Sequence, residues 1–288
     1  MKLATALRLG RVSNLPTVWT NVAAGLALAG IGFDPALAAG LCLAISSLYT
    51  GGMYLNDAFD HEYDARMRAE RPIPRGEVSA RSVFAAGFAM LAFGVAVVAA
   101  FALRPGGRGS PPVLAALALA AVILVYDVHH KQNPASPLVM AVNRVLVYVV
   151  AALSVRAVPA RELLPACAVL FCYLVGLTYA AKQENLRAPR HMWPLLLLEV
   201  PLVLYALSSP SALRLGAWAL LAGFTGYSLV FLLDARRRDI KRAVGYLIAG
   251  ISLVDAMIVA GQGYAFGAAA CAAGFAATLL AQRVIAGT

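Results

Sequence analysis

Asn56, Asp60 and Asp64, in the stretch LNDAFDHEYDARMRAERPIPRG at residues 55–76, recur every fourth residue, with Asp57 beside them. On a helix that spacing stacks them along one stripe. Three carboxylates stacked at the end of an apolar segment repel one another unless a cation lies between them. Carboxylate, amide and water oxygens suit Mg²⁺, and Mg²⁺ held by few carboxylates completes its shell with water and phosphate oxygens. The stripe therefore points to a phosphorylated ligand. The same spacing also permits a solvated helix end in which Arg66 and Arg68 pair with the acids. RPIPRG weighs against that alternative, because its two prolines fix a rigid turn that presents Arg71 and Arg75 close to the stripe.

The elements that must hold this stripe are membrane spans. The 288-residue chain is 61% hydrophobic and 13% charged, and unbroken apolar runs such as AAGFAMLAFGVAVVAAFAL recur too often for one water-surrounded core. Nothing alternates with a period of two, which argues against a transmembrane β-barrel. Ten apolar segments are expected, at 15–32, 36–56, 79–103, 111–127, 136–156, 162–182, 192–208, 212–233, 243–261 and 264–284. The first follows only a short basic start and reads as part of the bundle rather than a leader.

Lys and Arg crowd into the N-terminal segment and the loops after the second, fourth, sixth and eighth segments, whereas the opposite loops hold only Arg104, Arg108, Arg156, Arg161 and Arg214. Basic loops stay on the cytoplasmic side, so the acidic stripe is expected there. The net charge of +10 is then a matter of topology and anionic lipid headgroups, and no nucleic-acid partner is needed. Cys42, Cys167, Cys172 and Cys271 all fall in apolar segments and read as small core residues.

Together, NDAFDHEYD and RPIPRG resemble the UbiA superfamily of intramembrane prenyltransferases, where an N(D)xxDxxxD stretch after the second span is followed by a loop like RPIPxG. The resemblance implies an all-α polytopic bundle of nine core transmembrane helices, with a tenth added at the C-terminus, forming one domain over residues 1–288. It implies Mg²⁺ on Asn56, Asp57, Asp60 and Asp64, and diphosphate on Arg71. YDVHHKQNPASP at the end of the fourth segment is similar to the family's Tyr and Lys pair, which would place Lys131 on diphosphate oxygens and Tyr126 in the cavity; a topological anchor is the competing reading of Lys131. RVSNLPTVWTN is similar to the first helix of the family and gives Arg11 and Asn21 a part in substrate binding, although a positive-inside anchor explains Arg11 equally well.

The family's second aspartate-rich motif is altered here. GLTYAAKQENLRA stands in its place, with Gly176, Gln183 and Arg187 where aspartates are expected and Glu184 one position out of step. Glu184 is the remaining candidate ligand, and Lys182 and Arg187 could instead neutralise the diphosphate directly. In the implied chemistry an allylic diphosphate ionises, negative charge grows on the leaving group, and a dry apolar chamber protects the carbocation. Asp60, Asp64, Lys131 and Arg187 are the catalytic candidates. Tyr54, Tyr126, Tyr148, Phe171, Tyr173 and Tyr179 are candidate liners, each also explicable as bundle packing.

Charged side chains within spans are costly and mark either a buried pair or a site. Arg144, with Asn143 beside it, is in reach of acceptor or diphosphate; Glu199 precedes Pro201; Asp255 is a potential partner for Arg144. His61, His129, His130 and His191 sit at loop ends and read as solvated. The expectation is Mg²⁺-dependent prenyl transfer from an isoprenoid diphosphate to an aromatic or lipid-like acceptor, by a multi-pass protein of a bacterial plasma membrane with its site loops cytoplasmic. The opening RVSNLPTVWTN and the altered second motif look most like the UbiA-like branch encoded in ebo gene clusters. A noncatalytic lipid or aromatic-compound binding or transport protein on the same fold is the alternative. A phosphatidyltransferase of the CDP-alcohol type would need a DGxxAR-like motif, which is absent.

Overall fold

The computed structural model describes residues 1–30, 34–131, 133–156, 158, 160–183, 192–206, 211–234 and 236–287, and among these every regular element is a helix. A short α1 (Leu3–Leu9) and a 3₁₀ turn (Val12–Asn14) lead into α2 (Leu15–Leu28) and α3 (Pro35–Phe59). The chain continues through α4 (His61–Met67), α5 (Ala80–Leu103), α6 (Ser110–His129), α7 (Ser136–Val155) and α8 (Leu163–Lys182). A 3₁₀ segment (Trp193–Glu199) then precedes α9 (Val200–Ala206), α10 (Ala212–Leu233), α11 (Ile240–Gly261) and α12 (Ala265–Gln282).

Prolines begin several of these helices at positions where a missing N–H is harmless, as in α2, α3, α6 and α7. Asp34, Ser79, Ser211 and Asp239 cap α3, α5, α10 and α11 through their side-chain oxygens. Among the described residues eight helices, α3, α5 to α8 and α10 to α12, are long and apolar enough to cross a membrane. Two expected spans are shorter. At 14 residues, α2 rises only about 21 Å against a hydrocarbon core of about 30 Å. The segment expected at 192–208 divides into the 3₁₀ stretch and α9, its prolines Pro194 and Pro201 sitting where each piece starts.

Among the described residues two large apolar cores run through the bundle, beside a small one of Leu9, Tyr54, Ala58 and Val83. One surrounds α11, with Leu247, Ile251, Val254 and Met257 against Leu170 and Tyr173 of α8 and Leu221 of α10. The other surrounds α3, where Leu41, Ile45, Leu48 and Leu55 meet Leu91, Val98, Leu119 and Ile123. Outward positions such as Leu43, Phe93, Leu117, Leu164 and Phe266 are exposed, as suits helices whose solvent is lipid. A cavity of about 520 Å³ opens between the cores, bounded by Ile45, Leu48 and Ile123 on one side and Leu174, Leu177 and Ile251 on the other.

Candidate active site

The acidic stripe meets this cavity through Asn56 and Asp60, which line its mouth. Although α3 ends at Phe59 and α4 starts at His61, the four-residue backbone ladder carries through the junction. Asp60 N–H donates to Asn56 O at 3.0 Å, and Asp64 N–H to Asp60 O at 2.8 Å. The expected register therefore survives a break that a continuous helix would not show. Asn56, Asp57 and Asp64 are buried.

Protein cations stand between the acids. Asp57 Oδ1 accepts from Arg11 at 3.3 Å and Arg71 at 3.4 Å, and Asp60 meets Lys131 Nζ at 2.9 Å and His130 Nε2 at 3.4 Å. Lys131 also sits over the Tyr63 ring, 3.5 Å from its centre. Arg11 reaches the stripe from a left-handed backbone conformation, φ 42°, which costs on the order of 1–2 kcal/mol for a residue with a Cβ. RPIPRG forms the expected turn, closed by Arg75 N–H to Arg71 O and Gly76 N–H to Ile73 O. Arg75 itself pairs with Glu77 at 3.6 Å rather than with the stripe. Thr5 and Arg8 of α1 hold the other side of Glu77.

The two central aspartates titrate in opposite directions. Burial raises the Asp60 carboxyl, but hydrogen bonds from His130 and Lys131 outweigh it, and the group lies below the ordinary aspartate value. At Asp64 burial prevails over Arg71 and Lys131 and holds the carboxyl above that value.

Asp127 is a site residue that the sequence reading passed over. It is 3% exposed on α6, and its Oδ1 accepts from Asn56 Nδ2 at 3.2 Å. Its Oδ2, like Asp64 Oδ1, is buried without a hydrogen-bond partner. Its position next to Tyr126 was the available signal. His130, expected as a solvated loop residue, stacks on Tyr126 with ring centres 5.0 Å apart and belongs to the site. As the side chains stand, no three His, Cys, Asp or Glu groups among the described residues form a metal cluster. The donor set is nonetheless all oxygen, and the two orphaned carboxylate oxygens are what an added divalent cation would satisfy.

Of the expected aromatic liners, Tyr126 faces the cavity, joined by Tyr49 and Tyr63. The others serve packing. Tyr54 OH donates to Ala6 O at 3.1 Å, Tyr173 OH donates to Leu247 O at 2.9 Å, and Phe171 and Tyr179 pack beside the α11 core. Tyr179 is thus removed from the cavity wall where it was expected. Asn143, Arg144 and Lys182 line it. Lys182 Nζ donates to Asn133 O and Ser136 Oγ, both at 2.8 Å.

Asn21 is fully buried and outside the lining, so its expected substrate contact is replaced by a structural link. It donates to Asp255 at 2.8 and 3.0 Å and accepts from Arg144 at 2.9 Å. The anticipated pairing of Arg144 with Asp255 therefore runs through an amide. Tyr148, a further expected liner, also donates to Asp255.

In the altered second motif, Gly176 packs against the 3₁₀ segment so closely that a Cβ there would lie 2.9 Å from Leu198 Cγ and 3.1 Å from its backbone nitrogen. Gln183 is buried. Glu184 and Arg187 lie outside the described residues, as does His191.

Comparison with known proteins places these features. A digeranylgeranylglyceryl phosphate synthase of Ignicoccus hospitalis is 38% identical over 94 residues, 32% of this chain and 30% of that protein. The match thus spans about a third of the relative. A UbiA homologue of Aeropyrum pernix has the same fold at 17% identity and a TM-score of 0.65, covering 87% of this chain and 97% of its own. A UbiA homologue of Archaeoglobus fulgidus bound to GPP and Mg²⁺ aligns at 18% identity and a TM-score of 0.64, over 92% and 99% of the two chains. A sequence profile of the UbiA prenyltransferase family matches residues 17–243. That range takes in the acidic stripe, the RPIPRG turn and the altered second motif, and the chain belongs to the UbiA prenyltransferase family.

Proposed function

We propose that this prenyltransferase binds an isoprenoid diphosphate at the cavity mouth with Mg²⁺, and transfers the prenyl group to an acceptor held within the bundle. The observation that carries this reading is the pair of buried, unpartnered carboxylate oxygens on Asp64 and Asp127 beside a ring of cations. Asn56, Asp57, Asp60 and Asp64 would hold the metal together with Asp127 of α6, with Glu184 as a further ligand from the second motif. Bound Mg²⁺ supplies positive charge against which negative charge on the departing diphosphate is stabilised. Arg71, Lys131, Lys182 and Arg187 meet the diphosphate oxygens, and Lys131 exchanges its carboxylate for them at little cost because its stem is flexible. Arg11 and Tyr126 position the donor. Val18, Leu48, Ile123 and Val147 supply the dry wall along which the prenyl chain lies.

The local identity to a digeranylgeranylglyceryl phosphate synthase supports an acceptor of glyceryl phosphate type, and the neighbour bound to GPP and Mg²⁺ supports the donor and cofactor. The mouth is placed on the cytoplasmic side of a single domain of 1–288 with ten crossings, of which Leu15–Leu28 and Trp193–Tyr205 are the two short ones. In Asp60→Asn and Asp64→Asn, Mg²⁺-dependent binding of geranyl S-thiolodiphosphate, a donor analogue that resists ionisation, is expected to vanish. Wild-type affinity in both would leave the stripe as a set of buried structural ion pairs. Donor binding without transfer to any acceptor would favour the noncatalytic binding protein.

A further inference from the structure

The cavity has a second polar end, and it is built differently from the first. Arg144 projects from α7 into the cavity beside Tyr49, its guanidinium carbon 5.4 Å from that ring's centre. Tyr49 precedes Asn56 on α3 by about 10 Å of helical rise, so this end is deeper than the acidic stripe. Arg11, Arg71 and Lys131 each already lie on a carboxylate. Arg144 instead meets neutral oxygens, Asn21 Oδ1 at 2.9 Å and Thr17 Oγ1 at 3.2 Å.

Its counter-charge is one amide away. Asp255, fully buried, receives Thr20 Oγ1 at 2.5 Å, Asn21 Nδ2 at 2.8 and 3.0 Å, and the Tyr148 hydroxyl. Those donors occupy the carboxylate, so it cannot also take the guanidinium. A buried charge is stable only when paired or richly hydrogen-bonded. Here the network keeps Arg144 charged and fixed within the bundle while leaving an arginine fork, with its five donors, able to receive an anion from the cavity. Close by on the lining, Asn143 Oδ1 and Thr178 Oγ1 are buried without a hydrogen-bond partner, positions at which a ligand hydroxyl would be satisfied.

We infer that Arg144 is the anion-recognising group of the acceptor subsite, held by Thr17, Asn21 and Asp255 as positioning residues, and that the acceptor carries a phosphate or carboxylate near its nucleophilic hydroxyl. The inference rests on the prenyl-transfer reading above and adds to it the residue that reads the acceptor's charge and the network that positions it. A neutral acceptor would leave the donors of Arg144 not taken by Asn21 and Thr17 without an anionic partner in the cavity. The diphosphate is the competing anion, and it differs by belonging to the shallow end.

The experiment uses purified full-length protein with Mg²⁺ and geranyl S-thiolodiphosphate bound, so that binding is read without turnover. Two pairs of probes are compared: geranylgeranylglyceryl phosphate with geranylgeranylglycerol, and 4-hydroxybenzoate with its methyl ester. In one pair the anionic member is expected to bind at least tenfold tighter than the neutral one, and which pair does so separates phosphate from carboxylate. The preference should disappear in Arg144→Met and persist in part in Arg144→Lys, with donor-analogue affinity unchanged within twofold. Thr17→Val should lower it several-fold and Thr17→Ser restore it, a pattern that simple loss of packing would not give; this pair also decides the matter if Arg144→Met does not fold. No anionic preference in either pair overturns the inference. So does a loss of donor-analogue affinity in Arg144→Met or Arg144→Lys, which would assign Arg144 to the diphosphate. Failure of the analogue to bind wild-type protein at all would instead remove the prenyl-transfer reading, and the inference with it.

Discussion

At the scale of single residues, the chemistry depends on which carboxylate oxygens are already occupied. Asp60 is held by Lys131 and His130, and Asp57 by Arg11 and Arg71, whereas Asp64 and Asp127 each keep a buried oxygen without a partner. An orphaned buried acceptor typically costs 1–3 kcal/mol, a cost that an incoming divalent cation would relieve. Asp127→Asn is therefore expected to weaken Mn²⁺ binding, followed by electron paramagnetic resonance, by about tenfold, corresponding to ~1.4 kcal/mol. Equal Mn²⁺ affinity in the variant would leave Asp127 as a partner for Asn56 alone. The stripe was legible in the sequence because its spacing is local, whereas Lys131 was marked only through the family resemblance of YDVHHKQNPASP. Asp127 and His130 were not, since an acid or imidazole near a helix end is ordinary until another helix is laid against it.

At the scale of elements, two glycines set how closely helices approach. Gly25 on α2 faces Tyr148 O and Ala151 Cβ of α7, where an added Cβ would lie at 2.8 and 2.7 Å. That close approach brings Thr17 and Asn21 within reach of Arg144. Gly176 on α8 does the same for the 3₁₀ segment at Leu198. Restoring an aspartate at position 176 is thus a packing problem before it is an electrostatic one. Gly176→Asp should lower thermal stability by roughly 1–3 kcal/mol through overpacking, and adding Leu198→Ala should recover part of the loss. If Gly176→Asp alone unfolds at the wild-type temperature, the segment moves more easily than its contacts imply.

At the scale of the whole molecule, the site needs a sidedness that matches its ligand. On the proposed reading the diphosphate is supplied from the cytoplasm, and the Asp57 to Asp64 mouth must open on that side. Single cysteines placed at Arg75 and Arg108, in protein whose Cys42, Cys167, Cys172 and Cys271 have been replaced, test this directly. A membrane-impermeant maleimide added to intact cells should label position 108 and spare position 75. Labelling of position 75 instead would invert the topology. Positions 75 and 108 bracket α5; for the short segments Leu15–Leu28 and Trp193–Tyr205, which fall below the length of the eight long helices, cysteines on either side of each segment are the corresponding test.

The sequence by itself determined the solvent, the helical class, the acidic stripe and its turn, because each rests on composition or on spacings of four residues or fewer. It also marked Arg144 and Asp255 as costly, since charge within an apolar run needs no partner to be conspicuous. Only the tertiary structure decided what those charges meet. Asn21 and Asp255 are 234 residues apart in the chain and 2.8 Å apart in space, and local patterns carry no information about such pairs. The same holds for the aromatic residues: the sequence offers Tyr54, Tyr126, Tyr148 and Tyr173 as equivalent candidates, and the rotation of each helix against its neighbours turns Tyr126 to the cavity, beside a Tyr49 that was not among them, and buries the other three in the bundle.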